Sequence, residues 1–216
     1  MTSLILAVHI FLGSVAVLGM VTAWLAKKGG LWHRRGGKAY VLGMAGSLLA
    51  ALVVSILTRN MFLFLVGLFS AYLVYTGYRL AVARDGIRNS LDKSTAVIAL
   101  VTGLTMIGYG VYLLFSSDSS MAIVVAVFGV LTASFGFSDF RLGDKWPAGK
   151  ERIVLHLSRM GGASIATMTA VFVVNVKTDP AFIAWLLPSI PGSLLIAYWT
   201  RRTRNPRWKP LSRGGY

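Results

Sequence analysis

Trp32-His33-Arg34-Arg35-Gly36-Gly37-Lys38-Ala39-Tyr40 is a basic segment with one imidazole and a glycine pair, set between two long apolar runs, residues 4–26 and 39–58. About 20 apolar residues, at about 1.5 Å of helix rise each, cross the roughly 30 Å hydrocarbon core of a bilayer. A charged island between two such runs therefore predicts a loop joining two membrane-spanning helices. Outward from it the pattern recurs over residues 61–83, 96–116, 121–140, 154–176 and 181–200. Alternation with period two is absent, which argues against a membrane β-barrel. Only Arg59-Asn60 separates the second and third runs. The two together are far too long for a single crossing, so a tight helical hairpin is expected there.

Composition agrees. The chain has 216 residues, 56% hydrophobic and 13% charged, whereas soluble domains carry about 25% charged residues. Its net charge of +15 does not point to nucleic acid, because the cations lie between and after apolar runs, as orientation signals of membrane proteins do. Cysteine is absent, which excludes disulfides, thiolate metal sites and cysteine nucleophiles.

Threading the runs back and forth places the basic residues on one side. Of the 22 Lys and Arg residues, Arg59 and Lys177 alone fall on the other. The positive-inside bias thus predicts seven helices, the N-terminus outside and the C-terminus in the cytoplasm. No basic residue precedes Leu4, and Lys27 and Lys28 close the first run, so it reads as a first spanning helix rather than a cleavable signal. The expected architecture is an all-α polytopic membrane bundle, with one domain over residues 1–200. The basic tail, residues 201–216, is expected to lie disordered against an anionic inner leaflet. A bacterial inner membrane suits this composition. The bilayer is then the expected partner, nucleic acid is not, and protein partners or oligomers are left open.

The outer connections are short (Arg59-Asn60, residues 117–120 and 177–180), which excludes an extracellular domain between the runs. Asp144-Lys145-Trp146-Pro147 reads as a helix start. The sixth helix is therefore expected to begin near Ala148 and to carry Arg152, His156 and Arg159 on one face. Gly36-Gly37 reads as a turn close to the membrane, with Trp32 and Tyr40 at headgroup level.

Three histidines occur, His9, His33 and His156. His9 lies inside the first helix, roughly 7 Å from its outer end, where an ionisable side chain is a functional candidate by default. Gly13 and Ala16 follow it at helical spacing and allow close helix approach. The alternative is packing, with Asn175, Tyr109 or Tyr112 as hydrogen-bond partner. His33 and His156 fall near the inner face, together with Arg34, Arg35, Tyr40, Tyr78, Arg79, Asp139, Arg141 and Arg159. Asp139 ends an otherwise apolar run, so it needs a counter-ion, with Arg141, Arg79 or Arg159 available. This group reads either as a network locking helix ends or as an inward-facing site for an anionic or quinone-like ligand.

A bis-histidine haem requires two imidazoles at one depth. His9 and His33 are separated by about 25 Å of helix rise, which leaves only His33 with His156. A protein-caged metal fails on the same depth argument and on the scarcity of carboxylates. Pro188 and Pro191 interrupt the last run and free the carbonyls of Ala184 and Leu187. Such a break is either a plain kink or part of a transport site. Gly103, Gly108 and Gly110, and Gly161 with Gly162, read as close-packing surfaces. Tyr72, Tyr75 and Thr76 form a polar seam on the third helix. Nucleotide loops, Ser/His/Asp sets, HExxH helices and carboxylate dyads are all missing, so enzymatic activity is not expected.

The residues His9, then His33, Arg34, Gly37 and Tyr40 in the order His-Arg-x-x-Gly-x-x-Tyr, and later His156 with Arg159, carry a resemblance. The chain resembles an uncharacterised family of bacterial multi-pass integral membrane proteins, a domain of unknown function. The resemblance implies a membrane bundle and emphasises those positions, without supplying an activity. Three functions compete on the sequence: transport or binding of a small molecule or ion, a haem- or quinone-binding redox role through His33 and His156, and a non-catalytic sensor or assembly role.

Overall fold

The computed structural model describes residues 2–83, 85–115 and 119–205. The helices are α1 (Thr2–Leu25), α2 (Leu31–Leu57), α3 (Met61–Val82), α4 (Ser90–Leu114), α5 (Ser119–Phe140), α6 (Gly149–Asn175), α7 (Phe182–Leu186) and α8 (Ser189–Arg204). Among the described residues, seven helical segments are long and apolar enough to cross a membrane. The seventh, Phe182–Arg204, comprises α7 and α8. No strand occurs among the described residues, only an isolated bridge between Ile87 and Lys145. The chain is an all-α, multi-pass membrane protein.

Two compact units are present. Among the described residues, one comprises those of 2–67 and 201–205, the other those of 68–200. In the first unit α1 and α2 pack antiparallel along a seam of small residues. A Cβ on Gly43 would lie 2.7 Å from the Ala16 nitrogen, and one on Gly36 would lie 2.8 Å from the Ala23 nitrogen. Ala16, Met20 and Ala23 are buried in that seam. Close backbone approach replaces hydrophobic burial as the source of helix association in lipid, because lipid tails solvate apolar side chains as well as protein does.

The opening basic segment is therefore not a loop. Residues 32–40 form the first turns of α2, and the connection from α1 is confined to residues 26–30. Gly36 serves the α1–α2 contact rather than a turn, whereas a Cβ on Gly37 would meet nothing within 4 Å. The positive backbone angle falls instead on Gly29, at φ 76°.

In the second unit α4 and α5 use the same device, with Gly103 against Ala133, Gly110 against Ala126 and Gly136 against Leu100. Gly108 takes no part, since the space beside it is open. Gly161 faces Ile196 and Gly162 faces Leu73. Helix α4 starts at Ser90, six residues before its apolar run, because Asn89 and Asp92 form a reciprocal capping box. Helix α6 starts at Gly149 after an extended Ala148, as Trp146-Pro147 predicts. In the seventh span the break falls at Leu187-Pro188. The Leu187 carbonyl is not left free: it accepts from the Ile190 N–H at 3.2 Å. Residues 201–204 continue α8 as helix. The expectation for the tail from residue 206 onward lies outside the described residues.

Candidate functional site

A deeply buried polar cluster lies in the second unit, on α3, α5 and α6. Asp139, near the end of α5, is 1% exposed and Arg159, about three turns into α6, is 2% exposed. Arg159 Nη2 donates to Asp139 Oδ1 at 2.6 Å, and the Tyr72 hydroxyl donates to Asp139 Oδ2 at 2.5 Å. The guanidinium lies 4.3 Å from the Phe135 ring centroid, a cation–π contact that helps to hold a charge away from water. One group stays unmatched: Arg159 Nε is buried without a hydrogen-bond partner. Of the three arginines that the sequence offers as counter-ions for Asp139, the structure selects Arg159.

Beyond this triad α6 grips the last turns of α3. Arg152, His156 and Arg159 recur at four- and three-residue spacing and so share one face of the helix. His156 Nδ1 donates to the Gly77 carbonyl at 2.8 Å. Arg152 Nε donates to the Leu80 carbonyl at 2.7 Å, and its Nη2 reaches the Ala83 carbonyl. These carbonyls lie in or just beyond the last turns of α3, at the negative end of the helix dipole, and that of Leu80 has no intrahelical donor of its own. Gly77 permits the approach, because a Cβ there would collide with Met160.

A second ion pair stands at the same end of the unit. Arg79 Nε and Nη2 donate to Asp92 Oδ1 and Oδ2 at 2.8 and 2.9 Å. Tyr75 adds its hydroxyl at 2.8 Å, and Asp92 Oδ2 also accepts the Asn89 N–H at 3.0 Å. Asp92 was not legible as a site residue from its charge alone. Its signal is the Asn89…Asp92 spacing, a capping pattern that marks a helix start ahead of the apolar run.

The first unit holds the remaining histidines. His9 Nδ1 donates to the Ser47 carbonyl at 2.9 Å, while the Ser47 hydroxyl donates to the His9 carbonyl at 3.1 Å. Its partner is thus Ser47 of α2, where the sequence pointed to Asn175, Tyr109 or Tyr112. His33 Nδ1 donates to the Ala23 carbonyl at 2.9 Å. Lys28 Nζ reaches the same carbonyl and that of Trp24, and partial burial pushes the Lys28 ammonium below the usual lysine range. The end of α1 is therefore tied down by a histidine and a cation, as the end of α3 is.

The other expected site residues are dispersed. Arg34 is exposed, Tyr40 is buried on α2, and Tyr78 is exposed on α3. Asp139 and Arg159 of the expected set bond to each other directly. Among the described residues, no three His, Asp or Glu side chains gather closely enough to hold a metal ion. Comparison with known protein families, curated proteins and solved structures gives no match.

Proposed function

We propose that this chain resides in a bacterial inner membrane, N-terminus outside and C-terminus in the cytoplasm, and that it binds and carries a small anionic solute at Arg159. The orientation rests on the asymmetric distribution of Lys and Arg. The observation that carries the binding role is the buried guanidinium of α6. It has a counter-ion in Asp139 but keeps Nε without an acceptor. An unmatched buried donor costs about 1–3 kcal/mol, and a charge inside a membrane is retained where it serves a pathway. A solute carboxylate or similar oxygen would supply the missing acceptor and compete with Asp139 for the guanidinium. The break between α7 and α8 is a second support, because interrupted helices line solute sites in transporters.

Uptake by proteoliposomes of a panel of small inorganic and carboxylate anions tests this. Flux of at least one anion is expected, abolished in Arg159→Gln and retained in Gly37→Ala. Silence of the folded wild type across the panel overturns it. Orientation is tested by reporter fusions: a C-terminal green fluorescent protein should fluoresce and a C-terminal alkaline phosphatase should be inactive.

A redox role has one observation in its favour. His33 and His156 each give Nδ1–H to a backbone carbonyl, which leaves Nε2 as the nitrogen that carries a lone pair, as a haem ligand requires. A Soret band in protein purified after haem-replete expression would favour that role over transport.

A further inference from the structure

We infer that the shared end of α4 and α5 is a binding site for an anionic phospholipid. A cavity of about 500 Å³ opens there. Its walls are Val97 and Ile98 of α4 and Phe140 of α5, all exposed apolar side chains on membrane-spanning helices. Its polar end is formed by Arg88, Lys93 and Ser94. Lys93 and Ser94 precede Val97 and Ile98 by one helical turn, so the groove changes from cationic to apolar within roughly 6 Å. That is the gradient a phosphodiester and the start of an acyl chain present.

Arg88 makes this a built site rather than a surface dent. It is 3% exposed, its Nη1 donates to the Gly143 carbonyl at 2.8 Å and its Nη2 to the Asp92 carbonyl at 3.1 Å. Its guanidinium carbon sits 4.7 Å from the centroid of the buried Trp146 ring. The side chain is thus fixed on the cavity wall, yet Nε has no hydrogen-bond partner. Buried donors without partners are rare and call for a ligand, an ion or water. Asp144 also lines the cavity, but Lys93 Nζ holds its carboxylate at 2.5 Å. The lining therefore keeps a net positive charge, which a singly negative headgroup such as phosphatidylglycerol complements and a zwitterionic one does not. A free phosphate would use the polar end and leave the apolar walls uncovered.

The test is native mass spectrometry of the full chain in detergent, with phosphatidylglycerol, phosphatidylcholine or inorganic phosphate added. Phosphatidylglycerol should be retained roughly fivefold more than phosphatidylcholine, the scale of one basic contact at a membrane surface. Inorganic phosphate should not displace it. Lys93→Gln, which removes a cation, and Ile98→Trp, which fills the groove from its exposed wall, should each lower retention by about the same factor in protein that still unfolds cooperatively. Equal retention of the two lipids, displacement by inorganic phosphate, or wild-type retention in both variants would overturn the assignment.

Discussion

Gly19 and Gly36 face each other across α1 and α2 so closely that a Cβ on either would come within 2.8 Å of the other's carbonyl oxygen. The neighbouring Gly37 has nothing within 4 Å of that position. Two adjacent glycines of one segment therefore answer differently to the same change. Gly36→Ala should force the helices apart and cost about 1–3 kcal/mol, as overpacking does. Gly37→Ala should be neutral or stabilise by up to about 1 kcal/mol, because alanine is the better helix former. Unfolding titrations of the two variants in mixed micelles compare them directly.

The Asp139–Arg159 pair gives a second contrast. Asp139→Ala leaves a buried guanidinium without its carboxylate and should cost about 3–5 kcal/mol. Replacing both, as Asp139→Leu with Arg159→Met, should recover most of that loss, since no charge is then left unpaired. Stability of the double variant no better than that of Asp139→Ala would mean that the pair does not act as a unit.

Asp92 should outweigh its capping partner. Asn89→Ala removes one cap and should cost about 1 kcal/mol. Asp92→Ala removes the cap, both arms of Arg79 and the Tyr75 bond together, and should cost about 3–5 kcal/mol. Thermal unfolding of the two variants measures the difference.

On the surface, the Lys93 ammonium holds the Asp144 carboxyl below the usual aspartate range. A carboxyl depressed in the folded state contributes stability above its unfolded pKa, and that contribution is lost as pH falls through the folded value. Its effect is therefore present at neutral pH and disappears only in acid. The Asp144 titration, followed by carboxyl carbon NMR, should move up toward the ordinary range in Lys93→Gln. An unmoved midpoint would assign the depression to another neighbour.

The spans were legible because about 20 apolar residues in a row have few other uses. The helix start near Ala148 was legible from Pro147, and the common face of Arg152, His156 and Arg159 from their spacing. The helical character of residues 31–38 was not. Charge and paired glycines suggest a turn, while the contact that makes Gly36 useful is with Gly19, a residue 17 positions away. The partner of His9 was hidden for the same reason, because the carbonyl and hydroxyl of one serine on α2 leave no local trace. Asp92 was missed because its helix begins outside the apolar run that announces it.

The grip of α6 on α3 bears on mechanics. Arg152 and His156 bond directly to α3 carbonyls, and Arg159 is tied to α3 through Asp139 of α5 and Tyr72, so sliding α6 along α3 would have to release all of these together. The two helices should then travel as one rigid rod. Motion within this unit is left to the seventh span, where the helix is interrupted at Leu187-Pro188 and the bonds that follow the break are long, 3.2 Å from the Ile190 N–H to the Leu187 carbonyl and 3.4 Å from the Gly192 N–H to the Pro188 carbonyl.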